Sequence, residues 1–240
     1  MKKYILVTGA TSGIGKGVAL ALSKNNNVIF HGRNKEKLEV LVNEVENSLY
    51  WCYDLYITED ISNSLKDFMS NNNVVVEKLV HCAGKDNALP AKLLKSNSIE
   101  ELMKVNFYSV VEIINILLKR SLNKNELNNI LFISSISSIK AYKAKAAYSA
   151  SKAALDSYMK VLSVELAPKI RVNSILPGAI KTNMTEKNFE DENMLKHLNE
   201  IHPLGIGKIE NIVDIVEFYL GDKTSWVTGQ QVVIDGGCTV

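Results

Sequence analysis

A glycine-rich segment that directly follows an apolar strand is the feature that most constrains the fold of this chain. Residues 4–7 are apolar and partly β-branched, as in a strand buried within a parallel sheet. Gly9, Gly13 and Gly15 follow, and an amphipathic helical pattern begins near Gly13. These glycines permit a tight turn against a phosphate, and the helix N-terminus offers unpaired N–H groups to it. This order predicts a dinucleotide-binding turn.

The same segment nearly matches the phosphate loop of nucleoside triphosphatases, which has the pattern Gly-x-x-x-x-Gly-Lys-Ser/Thr. Ala10 stands where the first glycine is required, and Gly17 follows Lys16 where a hydroxyl residue should bind Mg²⁺. Both departures disfavour a triphosphatase.

Strand and helix patterns alternate along the whole chain. Beyond the first strand, β-like runs occupy residues 27–31, 50–53, 78–82, 129–134, 171–176 and 231–234, and the longest helical patterns cover residues 98–119 and 146–166. Such alternation predicts one α/β domain over residues 1–240, a Rossmann-type, doubly wound parallel sheet with helices on both faces. Polar segments follow most strand ends, where the ligands of such sheets bind.

Composition excludes several classes of function. The net charge of +2 gives no reason to expect nucleic acid or a membrane surface as a partner. The cysteines (Cys52, Cys82, Cys238) are odd in number and scattered, and the four histidines lack ligand spacing, so we expect no disulfide framework and no metal. The N-terminus leads directly into the first strand, and no apolar stretch reaches the ~18 residues of a membrane span. We therefore expect a cytoplasmic protein.

Tyr148 and Lys152 form a candidate acid–base pair. Four positions apart on a helix, their side chains share one face about 6 Å apart along the axis. A free tyrosine has a pKa near 10, and a neighbouring ammonium should lower it toward neutrality. Tyr219 and Lys223 have the same spacing, but Gly221 interrupts them. The non-functional alternative for Tyr148 and Lys152 is a core tyrosine beside a solvated lysine on an ordinary helix.

Over essentially its whole length the chain resembles the short-chain dehydrogenase/reductase family. The matching elements are the Thr-Gly-Ala-Thr-Ser-Gly-Ile-Gly run of residues 8–15, Asp54-Leu55, Ala83-Gly84, Asn106, Ser135, Tyr148 with Lys152, Pro177-Gly178 with Thr182, and residues 228–237. The resemblance implies that Tyr148 protonates the carbonyl oxygen of a substrate during reduction. It also implies that Lys152 lowers the pKa of Tyr148 and holds the nicotinamide ribose, that Ser135 binds the carbonyl oxygen, and that Asn106 connects Lys152 to solvent through water.

The resemblance also implies a set of contacts to a nicotinamide cofactor. These residues are Gly9, Thr11, Ser12, Gly13, Ile14, Gly15, Arg33, Asp54, Leu55, Ala83, Gly84, Tyr148, Lys152, Pro177, Gly178, Ile180 and Thr182. One departure concerns the Asn-Asn-Ala-Gly motif that is usual in the family, because His81-Cys82 replaces the two asparagines. We expect His81 to be a hydrogen-bonded core residue.

The end of the second strand bears on which nicotinamide cofactor binds. An acidic residue there would bind the ribose hydroxyls of NAD, but Gly32 occupies the position and Arg33 follows. A guanidinium suits a 2′-phosphate, which favours NADP(H). The alternative is a solvated arginine beside a helix that Asn34 caps.

Substrate and assembly are expectations from the resemblance alone. Residues 177–185 resemble those of 3-oxoacyl-[acyl-carrier-protein] reductases, which reduce a carrier-bound β-keto thioester in fatty-acid synthesis. A sugar, steroid-like or small ketone is the alternative substrate, and a non-catalytic NADP(H) sensor is a further alternative. The charged segment of residues 183–200 corresponds to a mobile lid over the substrate, or is simply an amphipathic surface helix. The two long helical patterns correspond to the family's dimer interface. Two such dimers commonly form a tetramer, with the strand near residues 232–234 at the second contact, so we expect a homotetramer.

Overall fold

The computed structural model describes residues 1–182 and 184–240, and the side chains of all of these except Lys187 and Asn188. Asn183, the first residue of the predicted lid, lies outside the described residues. The strands are β1 (Lys2–Thr8), β2 (Val28–Gly32), β3 (Ser48–Cys52), β4 (Val74–His81), β5 (Asn129–Ile133), β6 (Arg171–Pro177) and β7 (Gln231–Ile234). The helices are α1 (Gly13–Leu22), α2 (Lys35–Asn43), α3 (Ile61–Asn71), α4 (Ser96–Met103), α5 (Ser109–Leu117), α6 (Arg120–Asn123), α7 (Ala146–Glu165), α8 (Glu186–Glu190), α9 (Glu192–Ile201) and α10 (Ile209–Leu220).

All seven of these strands pair in parallel in the order β3-β2-β1-β4-β5-β6-β7. The order reverses between β1 and β4, so the crevice for a ligand is expected at the carboxyl ends of these two strands. The predicted doubly wound parallel sheet is confirmed.

Helices cover both faces of the sheet because alternate residues of each strand point in opposite directions. In β1, Tyr4 and Leu6 join a core formed with α3, α5 and α7. Their neighbours Ile5 and Val7 join the opposite core, formed with α1, α2 and α10. Strands that are apolar at consecutive positions are therefore buried from both sides.

The predicted helix over residues 98–119 is wrong as a single regular helix. α4 and α5 are separated by a π-helical turn, Lys104–Tyr108, in which Asn106 is fully buried. Periodicity cannot distinguish a π turn from α-helix, because one extra residue per turn shifts the apolar face only locally. By contrast, α7 ends within one residue of its predicted end. In the described part of the chain, no helix has the length and apolar character that crossing a membrane requires.

Candidate active site

The glycine turn after β1 fits tightly against the neighbouring strand. Gly9 and Gly13 have φ values of +68° and +53°, which side-chain-bearing residues rarely adopt. A Cβ at Gly9 would lie 2.9 Å from the backbone of Ala83, and one at Gly15 would lie 2.3 Å from the carbonyl oxygen of Gly9. Ser12, the residue before α1, makes no side-chain capping bond. The first-turn N–H groups of α1 therefore lack a side-chain cap from Ser12, as an anion site requires.

A crevice of about 830 Å³ opens at the carboxyl ends of the strands beside this turn. It brings together every predicted cofactor contact. Of the four predicted catalytic residues, Ser135, Tyr148 and Lys152 line it and Asn106 does not. Of the predicted residues, those that line it are Gly9, Thr11, Ser12, Gly13, Ile14, Gly15, Arg33, Asp54, Leu55, Ala83, Gly84, Ser135, Tyr148, Lys152, Pro177, Gly178, Ile180 and Thr182. The glycine turn and the volume of this crevice fit a dinucleotide.

α7 and the end of β5 carry the polar groups of the crevice. The ammonium of Lys152 lies 5.9 Å from the centroid of the Tyr148 ring and donates to the carbonyl oxygen of Ile133 at 2.9 Å. Ser135 lies near enough to the Tyr148 phenol to lower its pKa. The adjacent Ser134 instead donates to the buried Asp156 at 2.9 Å. The two neighbouring serines therefore differ in environment, and the pairing of Ser135 with Tyr148, which the spacing favours, stays a prediction.

Asn106 lies behind the crevice wall and braces it. Its Oδ1 accepts from the N–H of Lys85 at 2.7 Å, and its Nδ2 donates to the carbonyl oxygen of Lys85 and to Ser151 Oγ, both at 2.9 Å. A Cβ at Gly84 would lie 3.4 Å from Lys152 Nζ and 3.5 Å from Asn106 Oδ1. Asn106 thus holds the segment after β4 beside Lys152, and its predicted water-mediated role stays a prediction.

The predicted lowering of the Tyr148 pKa is not found. Burial raises the pKa of Tyr148, the carboxylate of Asp86 raises it further, and the nearby Ser135 hydroxyl opposes both effects. Burial also lowers the pKa of Lys152 to about 8. In both groups the largest effect is desolvation, which penalises the charged form. The phenol is therefore held protonated, the form in which it can act as an acid.

The Thr8 hydroxyl holds the segment in which His81 and Cys82 replace the family's two asparagines. Thr8 Oγ1 accepts from the N–H groups of Cys82 and Ala83, each at 3.1 Å, and lies 2.9 Å from His81 Nδ1. With both acceptor positions used, the Thr8 hydroxyl donates to His81. His81 is fully buried, which confirms the expected hydrogen-bonded core histidine. Burial raises the pKa of Cys82 to about 12, so this thiol is unreactive at neutral pH.

The far end of the crevice contains groups that the sequence analysis missed. Lys37 lines it beside Arg33, one helical turn further on, a spacing that could have identified it. Asn34 accepts from the N–H of Lys37 at 2.9 Å and so caps α2. The buried His31 lies between the N–H of Gly9, 3.3 Å from Nδ1, and the carbonyl oxygen of Tyr53, 3.2 Å from Nε2.

The expected lid contains two short helices, α8 and α9, which follow β6 in the chain. Met184 lines the crevice and is half-exposed. Asp191 caps α9 by accepting from the N–H of Met194 at 3.0 Å. In the described part of α9 no residue is buried, so both the lid and the surface-helix interpretations fit the geometry.

Comparisons with known proteins agree with this geometry. A family profile described as enoyl-(acyl carrier protein) reductase matches residues 9–239. The 3-oxoacyl-[acyl-carrier-protein] reductase FabG of Buchnera aphidicola subsp. Baizongia pistaciae is 32% identical over 98% of this chain and 97% of that protein. The L-xylulose reductase of Mus musculus is 31% identical over 97% of this chain and 94% of its own length.

Solved structures show the same architecture. A 4-hydroxyisoleucine dehydrogenase mutant complexed with NADH and succinate superimposes with a TM-score of 0.92 at 29% identity, over 98% of each chain. ElxO with NADP bound superimposes with a TM-score of 0.88 at 26% identity, over 100% of this chain and 99% of that chain. Sequence and structure therefore agree that this protein is an oxidoreductase belonging to the short-chain dehydrogenase/reductase family.

Proposed function

We propose that this protein is an NADP(H)-dependent reductase that converts a carbonyl to an alcohol, with a 3-oxoacyl thioester as substrate. The observation that carries the proposal is the convergence of Ser135, Tyr148 and Lys152 on one crevice with the glycine turn. The FabG relative supports the substrate class, since its name gives a 3-oxoacyl-[acyl-carrier-protein] reductase activity.

The chain's own residues account for orientation and proton transfer. The hydroxyls of Ser135 and Tyr148 would both bind the carbonyl oxygen, and Tyr148 would donate its proton to that oxygen. Lys152 would bind the ribose, while Pro177, Gly178, Ile180 and Thr182 would hold the carboxamide end. A bound NADPH supplies the hydride. Asn106 would support this arrangement by fixing the segment after β4 against α7.

The preference for NADP(H) rests on charge at the end of β2. Two cations, Arg33 and Lys37, line this part of the crevice, and Gly32 stands where a carboxylate would select NAD. A 2′-phosphate would be bound by the guanidinium, the ammonium and the N-terminus of α2 together. The carboxylate nearby, Asp54, comes from the next strand's end and accepts from the N–H of Tyr56 at 3.1 Å.

A second substrate class is supported by one observation. Asp86 lies close enough to Tyr148 to affect its pKa, and its Oδ1 is buried without a hydrogen-bond partner in the described residues. That oxygen could accept a hydrogen bond from a hydroxyl of a sugar-like ketone. The L-xylulose reductase relative favours the same class. A thioester substrate offers no such donor near its reacting carbonyl.

The proposed assembly is a cytoplasmic homotetramer. Val161 and Val164 on the outer face of α7 are exposed, which fits a helix that packs against a second copy. The three cysteines make no disulfide among the described residues, which fits a reducing compartment.

The test measures NADPH oxidation with acetoacetyl-CoA and with L-xylulose, with NADH and Tyr148→Phe in parallel. We expect turnover with NADPH and acetoacetyl-CoA that falls at least about 100-fold in the variant, since a positioned acid contributes that much. Turnover with L-xylulose alone would move the proposal to the second class. Tight NADPH binding without reduction of a broad carbonyl panel would favour a non-catalytic sensor instead.

A further inference from the structure

Asp156 is a buried carboxylate to which the proposed reaction assigns no role. Its side chain is 3% exposed, and its Oδ2 accepts from Ser134 Oγ at 2.9 Å and from Gln231 Nε2 at 3.1 Å. Its Oδ1 is buried and makes no hydrogen bond in the described part of the chain. Both donors are neutral, so neither compensates the charge. A buried carboxylate is costly unless an opposite charge lies close by.

The position of Asp156 on α7 identifies that opposite charge. Tyr148, Lys152 and Asp156 follow one another at intervals of four, so the three side chains share one face of the helix. Lys152 is 4% exposed, and Asp156 makes the largest contribution that raises its pKa against the effect of burial. The carboxylate and the ammonium are therefore buried together, one helical turn apart.

The partners of this helix face are three consecutive residues at the end of β5. Lys152 donates to the carbonyl oxygen of Ile133, and Asp156 accepts from Ser134. The next residue, Ser135, lies near enough to the Tyr148 phenol to lower its pKa. Ser134 thus lies between Ile133, which binds the Lys152 ammonium, and Ser135, which lies beside Tyr148. Fixing its side chain restricts the backbone on both sides.

We propose that Asp156 is a positioning residue of the reaction, which fixes Ser134 between Ile133 and Ser135 and places a carboxylate one helical turn from Lys152. This inference rests on the proposed function, in which Lys152 binds the cofactor as an ammonium. Asp156 does not touch the substrate in this scheme. It acts by holding the side chain of Ser134 in place, and its negative charge raises the pKa of Lys152.

The other titratable groups around Lys152 act on it less strongly than Asp156 does. Asp86, in the segment after β4, also raises the pKa of Lys152 but contributes less, and it is itself ion-paired with Lys145. Cys82 has its pKa raised to about 12 by burial, so it is neutral at the pH values of interest. On β4, burial lowers the pKa of His81 well below its usual value, which leaves that ring neutral as well.

Tyr148, on α7 itself, is also held in its neutral form because burial raises its pKa. Among the described groups around Lys152, Asp156 is therefore the carboxylate whose hydrogen-bond donors are all neutral. Removing its charge should make Lys152 lose its proton at a lower pH.

The experiment compares Asp156→Asn with Ser134→Ala. The first removes the charge at nearly constant shape, and the second removes a hydrogen bond to the same carboxylate while keeping the charge. For each variant and the wild type, the Kd of NADPH is measured by fluorescence from pH 6 to pH 10, and kcat/KM over the same range. Folding is checked by circular dichroism and size-exclusion chromatography.

In the wild type we expect NADPH affinity to fall as pH rises through about 8, where Lys152 loses its proton. In Asp156→Asn this midpoint should move down by about one pH unit, the size expected for a nearby buried charge. In Ser134→Ala the midpoint should stay at its wild-type value, while kcat/KM falls at every pH. The same midpoint in Asp156→Asn and wild type, or an equal shift in both variants, would overturn the proposal.

Two features keep this test decisive. If Asp156→Asn does not fold, Asp156→Ser removes the same charge with a smaller side chain and is expected to show the same shift. Because NADPH binding needs no carbonyl substrate, the midpoint is measurable even if acetoacetyl-CoA and L-xylulose are not reduced. A failure of the proposed reaction is thus distinguishable from a failure of the role given to Asp156.

Discussion

The carboxylate of Asp86 and the ammonium of Lys145, 59 positions apart in the sequence, form an ion pair beside the proposed catalytic tyrosine. The Lys145 ammonium lies 5.6 Å from the centroid of the Tyr148 ring. A backbone hydrogen bond of 2.8 Å from Leu89 to Ala144 joins the same two segments. The pair thus places two charges next to the phenol.

Asp86→Asn should lower the pKa of Tyr148. The carboxylate raises that pKa in the wild type, and without it the unpaired Lys145 ammonium would favour the phenolate. In the direction of alcohol oxidation, which needs the phenolate, the rise of kcat/KM with pH should shift to lower pH by about 0.5–1 unit. Glu126→Gln, which removes a carboxylate paired with Lys3 far from the crevice, is the control and should leave the profile in place. An unchanged profile in Asp86→Asn would refute the electrostatic coupling.

Arg33→Ala should weaken NADPH far more than NADH, because it removes a donor to the 2′-phosphate that NADH lacks. A charge-assisted hydrogen bond contributes roughly 1.5–3 kcal/mol, so we expect the KM for NADPH to rise about 10- to 100-fold. Lys37→Ala should act in the same direction with a smaller effect, since its ammonium cannot form a bidentate contact. Equal changes for both cofactors would show that Arg33 is simply a solvated surface residue.

Gly15→Ala should abolish dinucleotide binding, whereas Gly17→Ala should not. The added Cβ at Gly15 would lie 2.3 Å from a backbone oxygen of the glycine turn, which cannot move without opening that turn. At Gly17 the nearest atom, 2.4 Å away, belongs to the partly exposed side chain of Ile209 and not to the backbone of the glycine turn. Fluorescence titration with NADPH measures both variants. Wild-type affinity in Gly15→Ala would mean that the turn does not bind the cofactor as proposed.

His31 should make the protein sensitive to acid. Burial lowers the pKa of its ring from 6.5 to about 4 in the folded state, so as pH falls below 6.5 the unfolded chain takes up the proton first. The stability contributed by neutral His31 is complete above pH 6.5 and is lost as pH falls toward 4. Between pH 7 and pH 5 this amounts to about 2 kcal/mol.

Urea unfolding of the wild type and of His31→Gln at pH 7 and pH 5 measures this contribution. His31→Gln should lose about 2 kcal/mol less over that interval than the wild type, although it is expected to be less stable at pH 7. His81 adds a dependence of the same sign in both proteins, because burial also lowers its pKa. An identical pH dependence in the two proteins would contradict the assignment to His31.

Val164→Asp should disrupt the proposed assembly without unfolding the subunit. Val164 is 78% exposed on the outer face of α7, so a carboxylate there costs little in the isolated subunit. In a packed helix interface the same carboxylate would be buried without a partner. Size-exclusion chromatography with light scattering should show a tetramer for the wild type and a smaller species for the variant. A monomeric wild type would disprove the tetramer directly.

Local patterns in the sequence were sufficient for the architecture and for most residues of the crevice. Apolar runs, glycines and helical periodicity are properties of neighbouring residues, and they predicted the sheet, α7 and the turn after β1. In a parallel sheet the carboxyl ends of strands lie at one edge, so residues that follow different strands could be predicted to converge. Lys37 escaped notice, although it follows Arg33 by one helical turn.

Only the tertiary structure decided which ionisable groups lie together and which protonation state each of them has. The pairing of Asp86 with Lys145, the contact of Asp156 with Ser134, and the buried position of His31 all join segments far apart in the chain. Their consequences depend on burial, which reversed the expected direction of the pKa of Tyr148. Desolvation is set by every atom packed around a group, and a pattern of neighbouring residues does not contain that information.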